Sequence, residues 1–416
     1  MKIVFYGHFG RHNFGNESTF QAALFHLRRM LPEAKVLCIC TGPEKVAEVY
    51  QVEAVPISEV VLPGWVSNRP ATRWLRTCLI GIPSEIYRWV KGFFAIQGTD
   101  ALIVPGTGLL TDAYSLSGWG PYSLFKWSVT AKLSRRKLVF LSVGAGPLYS
   151  TLGRYFVRSA LKRADFCSFR DEASVQYLKT IGCLVSTDKI YPDLAFSLPE
   201  IVPQEGGRGE GRRTIVGLGI IEYPGRYSVE GLSRSVYNAY LEKLAAFAGG
   251  ILARDCDVRI LIGDASDATV AAKFRAMLKE RYPGYAEERV IDEPVRCVED
   301  LLAQIKTTDV VVATRFHNVL LSVLLRRPAI AISFHHKCKA LMSQLGLDEY
   351  CKDIETLTAA ELMDTFCALQ RNAATVKARL QDQVEKSRRE LEEQYRIVAA
   401  DILGASVSNR SSEWTA

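Results

Sequence analysis

Short, unbroken apolar runs alternate with amphipathic stretches along most of this chain, and that alternation limits the fold more than any other feature. Strand candidates in the first half are Lys2–Tyr6, Lys35–Cys40, Ala101–Val104, Leu138–Val143, Phe166–Phe169 and Lys189–Tyr191. Helical patterns fall between them at Glu17–Leu31, Tyr122–Leu133, Leu152–Arg163 and Glu172–Ile181. A strand with helices on both faces reads as continuous Val, Ile, Leu and Phe, and parallel neighbours need a long crossover, usually a helix. The pattern therefore predicts an α/β fold with a mostly parallel sheet covered on both sides.

The alternation stops at residues 199–213, where prolines, glycines and charges have little to bury, and it restarts beyond them. Thr214–Ile220, Val258–Ile262, Val290–Ile291, Val310–Ala313 and Ala329–Ile332 read as strands. Gly231–Ala253, Ala268–Tyr282, Val298–Lys306, Asn318–Leu325 and Lys337–Leu345 read as helices. The expected organisation is an N-terminal Rossmann-like domain over 1–198, a linker over 199–213 and a second Rossmann-like domain over 214–370, the two facing a cleft. A C-terminal helix over 371–404 follows, with Val376, Leu380, Val384, Leu391, Tyr395, Val398 and Ile402 forming a narrow apolar stripe that should dock along the body. Residues 405–416 are expected to be a frayed tail.

A length of 416 residues suits two or three domains, and 48% hydrophobic with 23% charged residues excludes disordered and fibrous classes. No apolar run approaches the roughly 18 residues of a membrane-spanning helix. The opening Met1-Lys2-Ile3-Val4-Phe5-Tyr6-Gly7 is too short an apolar stretch to read as a secretion signal. The net charge of +7 is compatible with an anionic ligand or membrane surface and too diffuse to imply nucleic acid. Ten cysteines without a C-x-x-C pair read as reduced thiols of a cytoplasmic protein, and no metal site is expected.

One stretch departs from this texture. Residues 61–94 carry Trp65, Arg69, Arg73, Trp74, Arg76, Tyr87, Arg88, Trp89, Lys91, Phe93 and Phe94, aromatics interleaved with cations. Such an insertion suits a helix lying among lipid headgroups, on the inner face of a plasma membrane, or else a helical subdomain whose aromatics pack inward.

Three glycine-rich turns each follow an expected strand: one from Gly7 through Gly10 to Gly15, one at Gly106-Thr107-Gly108, and one at Gly144-Ala145-Gly146-Pro147. Glycine lets backbone amides approach a ligand, and such turns gather at the carboxyl edge of an open parallel sheet, where ligands bind. Each is also what any tight strand-to-helix turn would use. In the second half, Arg315-Phe316-His317 stands where a strand ends and a helix starts. A guanidinium offers a planar fork for carboxylate or phosphate, and an imidazole titrates near neutrality. His317 equally suits a helix cap. Among only six histidines, His335 and His336 lie beside Lys337. Arg170 ends a strand ahead of Asp171, a natural N-cap with Ser174 in the first turn. Asp193 follows Tyr191-Pro192 and either faces the cleft or caps a turn.

Taken in order, Gly10-x-x-Asn13-x-Gly15-Asn16-Glu17, Gly106-Thr107-Gly108-Leu109-Leu110, Gly144-Ala145-Gly146-Pro147, Arg170-Asp171-Glu172-x-Ser174, Pro192-Asp193-x-Ala195-Phe196, Arg315-Phe316-His317 and Lys337 resemble the polysaccharide pyruvyl transferases. The resemblance runs from the first strand to about Tyr350. It implies a two-domain fold similar to GT-B glycosyltransferases and transfer of a pyruvyl group from phosphoenolpyruvate to a sugar, usually as a ketal. It also implies substrate contacts from Asn13, Gly15, Asn16, Glu17, Gly106, Thr107, Gly108, Gly144, Gly146, Asp193 and His336. This chain departs from the family pattern at Asn16, where an aspartate is usual, at Thr107 within a glycine triplet, and at Ser142, where glycine is common.

The residues fit that chemistry. Phosphoenolpyruvate needs a carboxylate clamp and phosphate neutralisation, which Arg315, Arg170 and Lys337 would supply, while protonation of its methylene needs an acid, assigned to His317. The donor is itself the substrate and no further cofactor is expected; the acceptor is a sugar of a cell-surface polysaccharide or its precursor, in some cases lipid-linked. Two rivals stand beside this reading: a nucleotide-sugar-dependent glycosyltransferase of the same architecture, and a catalytically silent sugar-binding member of the family.

Overall fold

The computed structural model describes residues 1–58, 70–106, 108–112, 119–183, 189–199, 212–223, 230–285, 287–334 and 336–405. Thr107, His335 and most of the expected linker and tail lie outside these residues, as does 61–69 of the aromatic-basic stretch. The chain forms two compact units. The first gathers Met1–Arg11, Thr19–Leu194 and the chain from Leu391; the second gathers His12–Ser18 and Ala195–Glu390.

The first unit is built on a seven-stranded sheet: β1 (Lys2–Gly7), β2 (Lys35–Cys40), β3 (Glu53–Pro56), β4 (Ala101–Pro105), β5 (Lys137–Val143), β6 (Phe166–Phe169) and β7 (Lys189–Ile190). All pairings are parallel, in the order β3-β2-β1-β4-β5-β6-β7. The chain winds outward from β1 to one edge, then returns to place β4 on the other side of β1. That reversal is the topological switch point at which doubly wound sheets bind ligands. β4 is wholly buried and β5 buried beyond its first residue, as continuous apolar runs require.

The second unit repeats the plan. Its strands β8 (Ile215–Ile220), β9 (Asp257–Ile262), β10 (Val290–Ile291), β11 (Val310–Ala313), β12 (Ala329–Ser333) and β13 (Cys351–Asp353) are arranged β10-β9-β8-β11-β12-β13, again all parallel. Its switch point lies between β8 and β11. Two parallel sheets flanked by helices, with a long C-terminal helix at Ala373–Ile397, make this a GT-B-like α/β fold.

Elements the sequence reading passed over are short or half-exposed. β3 and β13 carry only partly covered residues at or near sheet edges, so neither has an apolar run. The helix Pro43–Tyr50 buries Val46 alone, and proline opens it, where a missing N–H costs nothing. The helix Ala359–Arg371 begins with a Thr358 hydroxyl accepting from the Glu361 amide at 3.1 Å. No disulfide joins any of the ten cysteines.

Two buried polar contacts tie the first unit together. From the end of the long helix, the buried Gln394 side chain meets the hydroxyls of Ser142 at 3.0 Å and Ser168 at 3.4 Å. Ser142 has a φ of +47°, the left-handed region that favours glycine, and the Ser168 hydroxyl receives its amide at 2.8 Å. Asp112, buried after β4, accepts hydrogen bonds from the amides of Tyr149 at 2.7 Å and Ser150 at 2.9 Å and from the Ser150 hydroxyl at 2.6 Å. Ser150 in turn caps the helix Thr151–Leu161 through the Gly153 amide.

Burial works to raise the pKa of Asp112, but the hydrogen bonds from Ser150 and Tyr149 outweigh it and hold the carboxyl below its ordinary 3.8. A depressed carboxylate contributes stability that is complete above its unfolded pKa and lost as pH falls through the lower folded value. Asp112→Asn is therefore expected to cost about 1–3 kcal/mol in denaturant unfolding at pH 7. That cost should stay constant down to pH 5 and shrink only below about pH 4.

Candidate active site

The constellation around Arg315 and His317 sits in the second unit at the switch point. β11 ends at Ala313, and Arg315 is the N-cap of the helix Phe316–Leu324, with a φ of −75° and ψ of 126°. Buried Thr314 between them is fixed by a 2.8 Å hydrogen bond between its hydroxyl and that of buried Tyr240. Arg315 is thus held at the carboxyl end of a central strand with its side chain one-quarter exposed.

Its guanidinium already has a partner. Nε donates to Asp267 Oδ2 at 2.8 Å and Nη2 to Oδ1 at 2.6 Å, a two-pronged pair with a carboxylate that is entirely buried. Burial pushes the Asp267 carboxyl above its ordinary value, and the opposing pull of Arg315 does not fully reverse this. The sequence reading offers Arg315 as an anion clamp; one edge of its fork grips a residue of the chain itself. Asp267 closes a short turn after β9, whose first residue is capped by Asp264 through the Ser266 amide at 2.9 Å.

The glycine-rich loop of the N-terminus joins this group, because His12–Ser18 belong to the second unit. Asn13 Nδ2 donates to Asp264 Oδ2 at 2.7 Å, and Asn13 Oδ1 accepts from the Asn16 amide at 3.1 Å, capping the helix Phe14–Met30. The backbone follows the same path: the Phe14 amide donates to the Gly263 carbonyl at 3.2 Å and the Ala265 amide to that of His12 at 3.0 Å. Gly15 lies against the imidazole of His317, so closely that a Cβ on it would fall 1.9 Å from Nδ1. Only glycine permits that approach. Asn16 is half-buried and Glu17 buried in the first turn of the same helix. His336 and Lys337, both half-buried, open the helix His336–Gln344 after β12, the strand beside β11.

One residue that the sequence reading left out completes the arrangement. Asn318 is fully buried one residue beyond His317, and neither its Oδ1 nor its Nδ2 has a hydrogen-bond partner among the described residues. The amide is wedged between the carboxyl ends of β8 and β9: a Cβ on Gly219 would meet Nδ2 at 2.8 Å, and one on Gly263 would meet Oδ1 at 2.7 Å. A glycine directly after a strand, followed by two aspartates in Gly263-Asp264-x-x-Asp267, was the available signal for the other missed residues.

The remaining candidates lie in the first unit. Arg170 is buried at the end of β6, with Nη1 donating to Asp193 Oδ2 at 3.1 Å and Nε 3.4 Å from Asp171 Oδ2. Gly144 makes room for it, since a Cβ there would sit 2.6 Å from Nε. Asp171 caps the helix Glu172–Thr180 through the Ser174 amide at 2.7 Å, as its position implied. Gly106 abuts the Ser142 carbonyl, Gly146 (φ +83°) abuts the Tyr177 ring, and Gly108 lies in the turn after β4. Arg170 and Asp193 are therefore joined to each other in an ion cluster, and Gly106, Gly144 and Gly146 each stand where a Cβ would clash. Among the described residues, no three His, Cys, Asp or Glu side chains converge as metal ligands would.

The two-unit Rossmann-type fold, with a cation, an imidazole and a buried amide at one switch point, is of GT-B-like architecture. The chain belongs to the polysaccharide pyruvyl transferase family, whose profile matches residues 13–336. It is 20% identical to the amylovoran biosynthesis protein AmsJ of Erwinia amylovora over 318 residues, 70% of each chain. Among solved structures, Alr3699/HepE of Anabaena, determined in complex with UDP, is 14% identical and covers 95% of this chain and 100% of its own, with a TM-score of 0.57. A putative UDP-N-acetylglucosamine 2-epimerase of Listeria monocytogenes is 10% identical, covering 97% of each chain with a TM-score of 0.64. Family membership and the AmsJ relative assign a transferase-type enzyme.

Breaking the Arg170–Asp193 pair tests its structural role. Arg170→Met should destabilise the first unit by roughly 3–5 kcal/mol, because it leaves two buried carboxylates uncompensated, and Asp193→Asn by less, because Asp171 still faces the guanidinium at 3.4 Å. The double substitution should cost less than the sum of the two, as measured by denaturant unfolding.

Proposed function

We propose that the switch point of the second unit binds an anionic donor beside Arg315, and that His317 moves the proton as a sugar hydroxyl is modified. The observation that carries this reading is the seating of His317 against Gly15 while Arg315 is anchored two-pronged on buried Asp267. An anchored guanidinium is a pre-oriented charge, and preorganised charge is what stabilises a transition state. The acceptor is a sugar of a cell-surface polysaccharide or its precursor, in keeping with the name of the AmsJ relative.

Two donors compete. The solved likenesses favour a nucleotide sugar: one is described with UDP and another as an epimerase of a UDP-sugar. In that reaction the acceptor hydroxyl attacks the anomeric carbon, His317 takes the hydroxyl proton, and the bond to the nucleoside diphosphate breaks. Family membership supports phosphoenolpyruvate. There His317 delivers a proton to the methylene carbon, the sugar hydroxyl bonds to the adjacent carbon and returns its proton to His317, and attack by a second hydroxyl expels phosphate, which takes up that hydroxyl's proton, to close the ketal. Arg315, with Lys337 near by in the fold, would offset the donor's negative charge in either case.

The donors are separated by their leaving groups. Purified protein with an acceptor glycan should release phosphate from phosphoenolpyruvate without nucleotide if pyruvyl transfer is correct. Release of UDP from a UDP-sugar, with phosphoenolpyruvate untouched, would establish the nucleotide reading. Turnover of neither would leave a sugar-binding protein. With whichever donor is consumed, His317→Ala should lower kcat by roughly 10²–10⁴-fold; a wild-type rate would remove the imidazole from the mechanism.

Gly15→Ala probes the same site from the opposite side. The added methyl group must displace the imidazole, and overpacking of this kind costs about 1–3 kcal/mol. The thermal melt should therefore fall by a few degrees, whereas kcat should fall to the level of His317→Ala.

A further inference from the structure

We propose that the helical layer of the first unit, centred on Ile82–Ile96, is a docking surface for an anionic lipid bilayer. This inference stands on different residues from the active site and is independent of the donor.

The helix Ile82–Ile96 is inverted relative to an ordinary surface helix. Ile82, Ile86, Val90 and Phe94 recur every fourth residue on its outer face and are 52%, 59%, 49% and 68% exposed. Apart from exposed Lys91, the charged groups lie underneath. Glu85 accepts from Arg88 Nη1 at 2.9 Å, from the Tyr122 hydroxyl at 2.9 Å and from Lys126 Nζ at 3.0 Å, and Trp89 Nε1 donates to that same hydroxyl. On the inner side Gly92 admits the Trp127 ring. A helix that satisfies its charges inward and presents branched and aromatic side chains outward is matched to an apolar medium, not to water.

The surface extends beyond one helix. The preceding turns expose Trp74, Leu75 and Leu79. Ring contacts run from Trp89 to Phe125 at 6.4 Å and from Phe125 to Tyr155 at 6.2 Å, so the helices Trp119–Leu133 and Thr151–Leu161 lie alongside. They add exposed Leu133, Leu152 and Tyr155.

Charge selects the partner. Residues 70–165 hold thirteen lysines and arginines against four acids, a net +9, whereas the whole chain is +7. The segment that contains this layer therefore carries all of the protein's excess positive charge, and the remainder is slightly acidic. Lys91, Arg135, Arg154, Arg158 and Lys162 are exposed on the same three helices or directly after them. Apolar side chains edged with cations complement an anionic headgroup layer. The contact is interfacial, since no helix among the described residues is long and apolar enough to cross a membrane.

The test is co-sedimentation of the full chain with vesicles of phosphatidylcholine alone and of phosphatidylcholine mixed with phosphatidylglycerol. Wild type should pellet with the mixed vesicles at low salt and be released as salt rises. Ile86→Ser with Phe94→Ser should abolish pelleting while leaving the thermal melt unchanged, because both side chains are exposed. Arg154→Glu with Arg158→Glu should weaken binding to the mixed vesicles roughly tenfold or more. Failure of wild type to pellet with mixed vesicles at low salt would overturn the proposal, as would binding unaffected by the serine pair. A self-associated wild type that the serine pair renders monomeric, with no vesicle binding, would assign the face to a second copy of the chain and equally defeat it.

Discussion

The ion pair between Arg315 and Asp267 is the contact on which the site of the second unit depends. Asp267 is wholly buried at the end of one strand's connection and Arg315 is held at the end of another. Their two hydrogen bonds fix the guanidinium at the point where strand order reverses. A buried carboxylate is costly, and its raised pKa expresses that cost. The same burial removes the freedom that a surface arginine would retain. An arginine tethered in this way offers an incoming anion a charge whose direction is already set.

Close approach is the second organising constraint, and glycine supplies it in both units. Gly15 admits His317, Gly144 admits Arg170, and Gly219 with Gly263 brackets Asn318. Each places a polar side chain directly on backbone at the carboxyl edge of a sheet. The outcomes differ between the units. In the first, the admitted cation is paired with Asp171 and Asp193. In the second, the imidazole and the buried amide lie at a switch point beside a partly exposed cation.

The helical layer of the first unit illustrates how polarity reports environment. The aromatic-basic composition of residues 61–94 was open to two readings, a headgroup-layer helix or an inward-packed subdomain. The described part shows both orientations at once: Trp89 and Gly92 face inward, whereas Ile86, Val90 and Phe94 face outward. Composition alone does not resolve this, because it records which residues are present and not which of them find partners on neighbouring helices.

The sequence by itself determined the two doubly wound sheets. Strands such as Lys35–Cys40, Phe166–Phe169 and Val310–Ala313 were legible to the residue, because burial on both faces demands a nearly unbroken apolar run and polar or charged residues bound it. Their seven motifs in order also carried the family, which the match over residues 13–336 bears out. Tertiary structure alone decided which polar groups meet. Asp267 and Asn318 lay in unremarked sequence, and nothing local joins Gly15 to His317 or Arg170 to Asp193. Hydrophobic periodicity is a property of neighbours in the chain, whereas an ion pair or a close backbone approach is a property of neighbours in space.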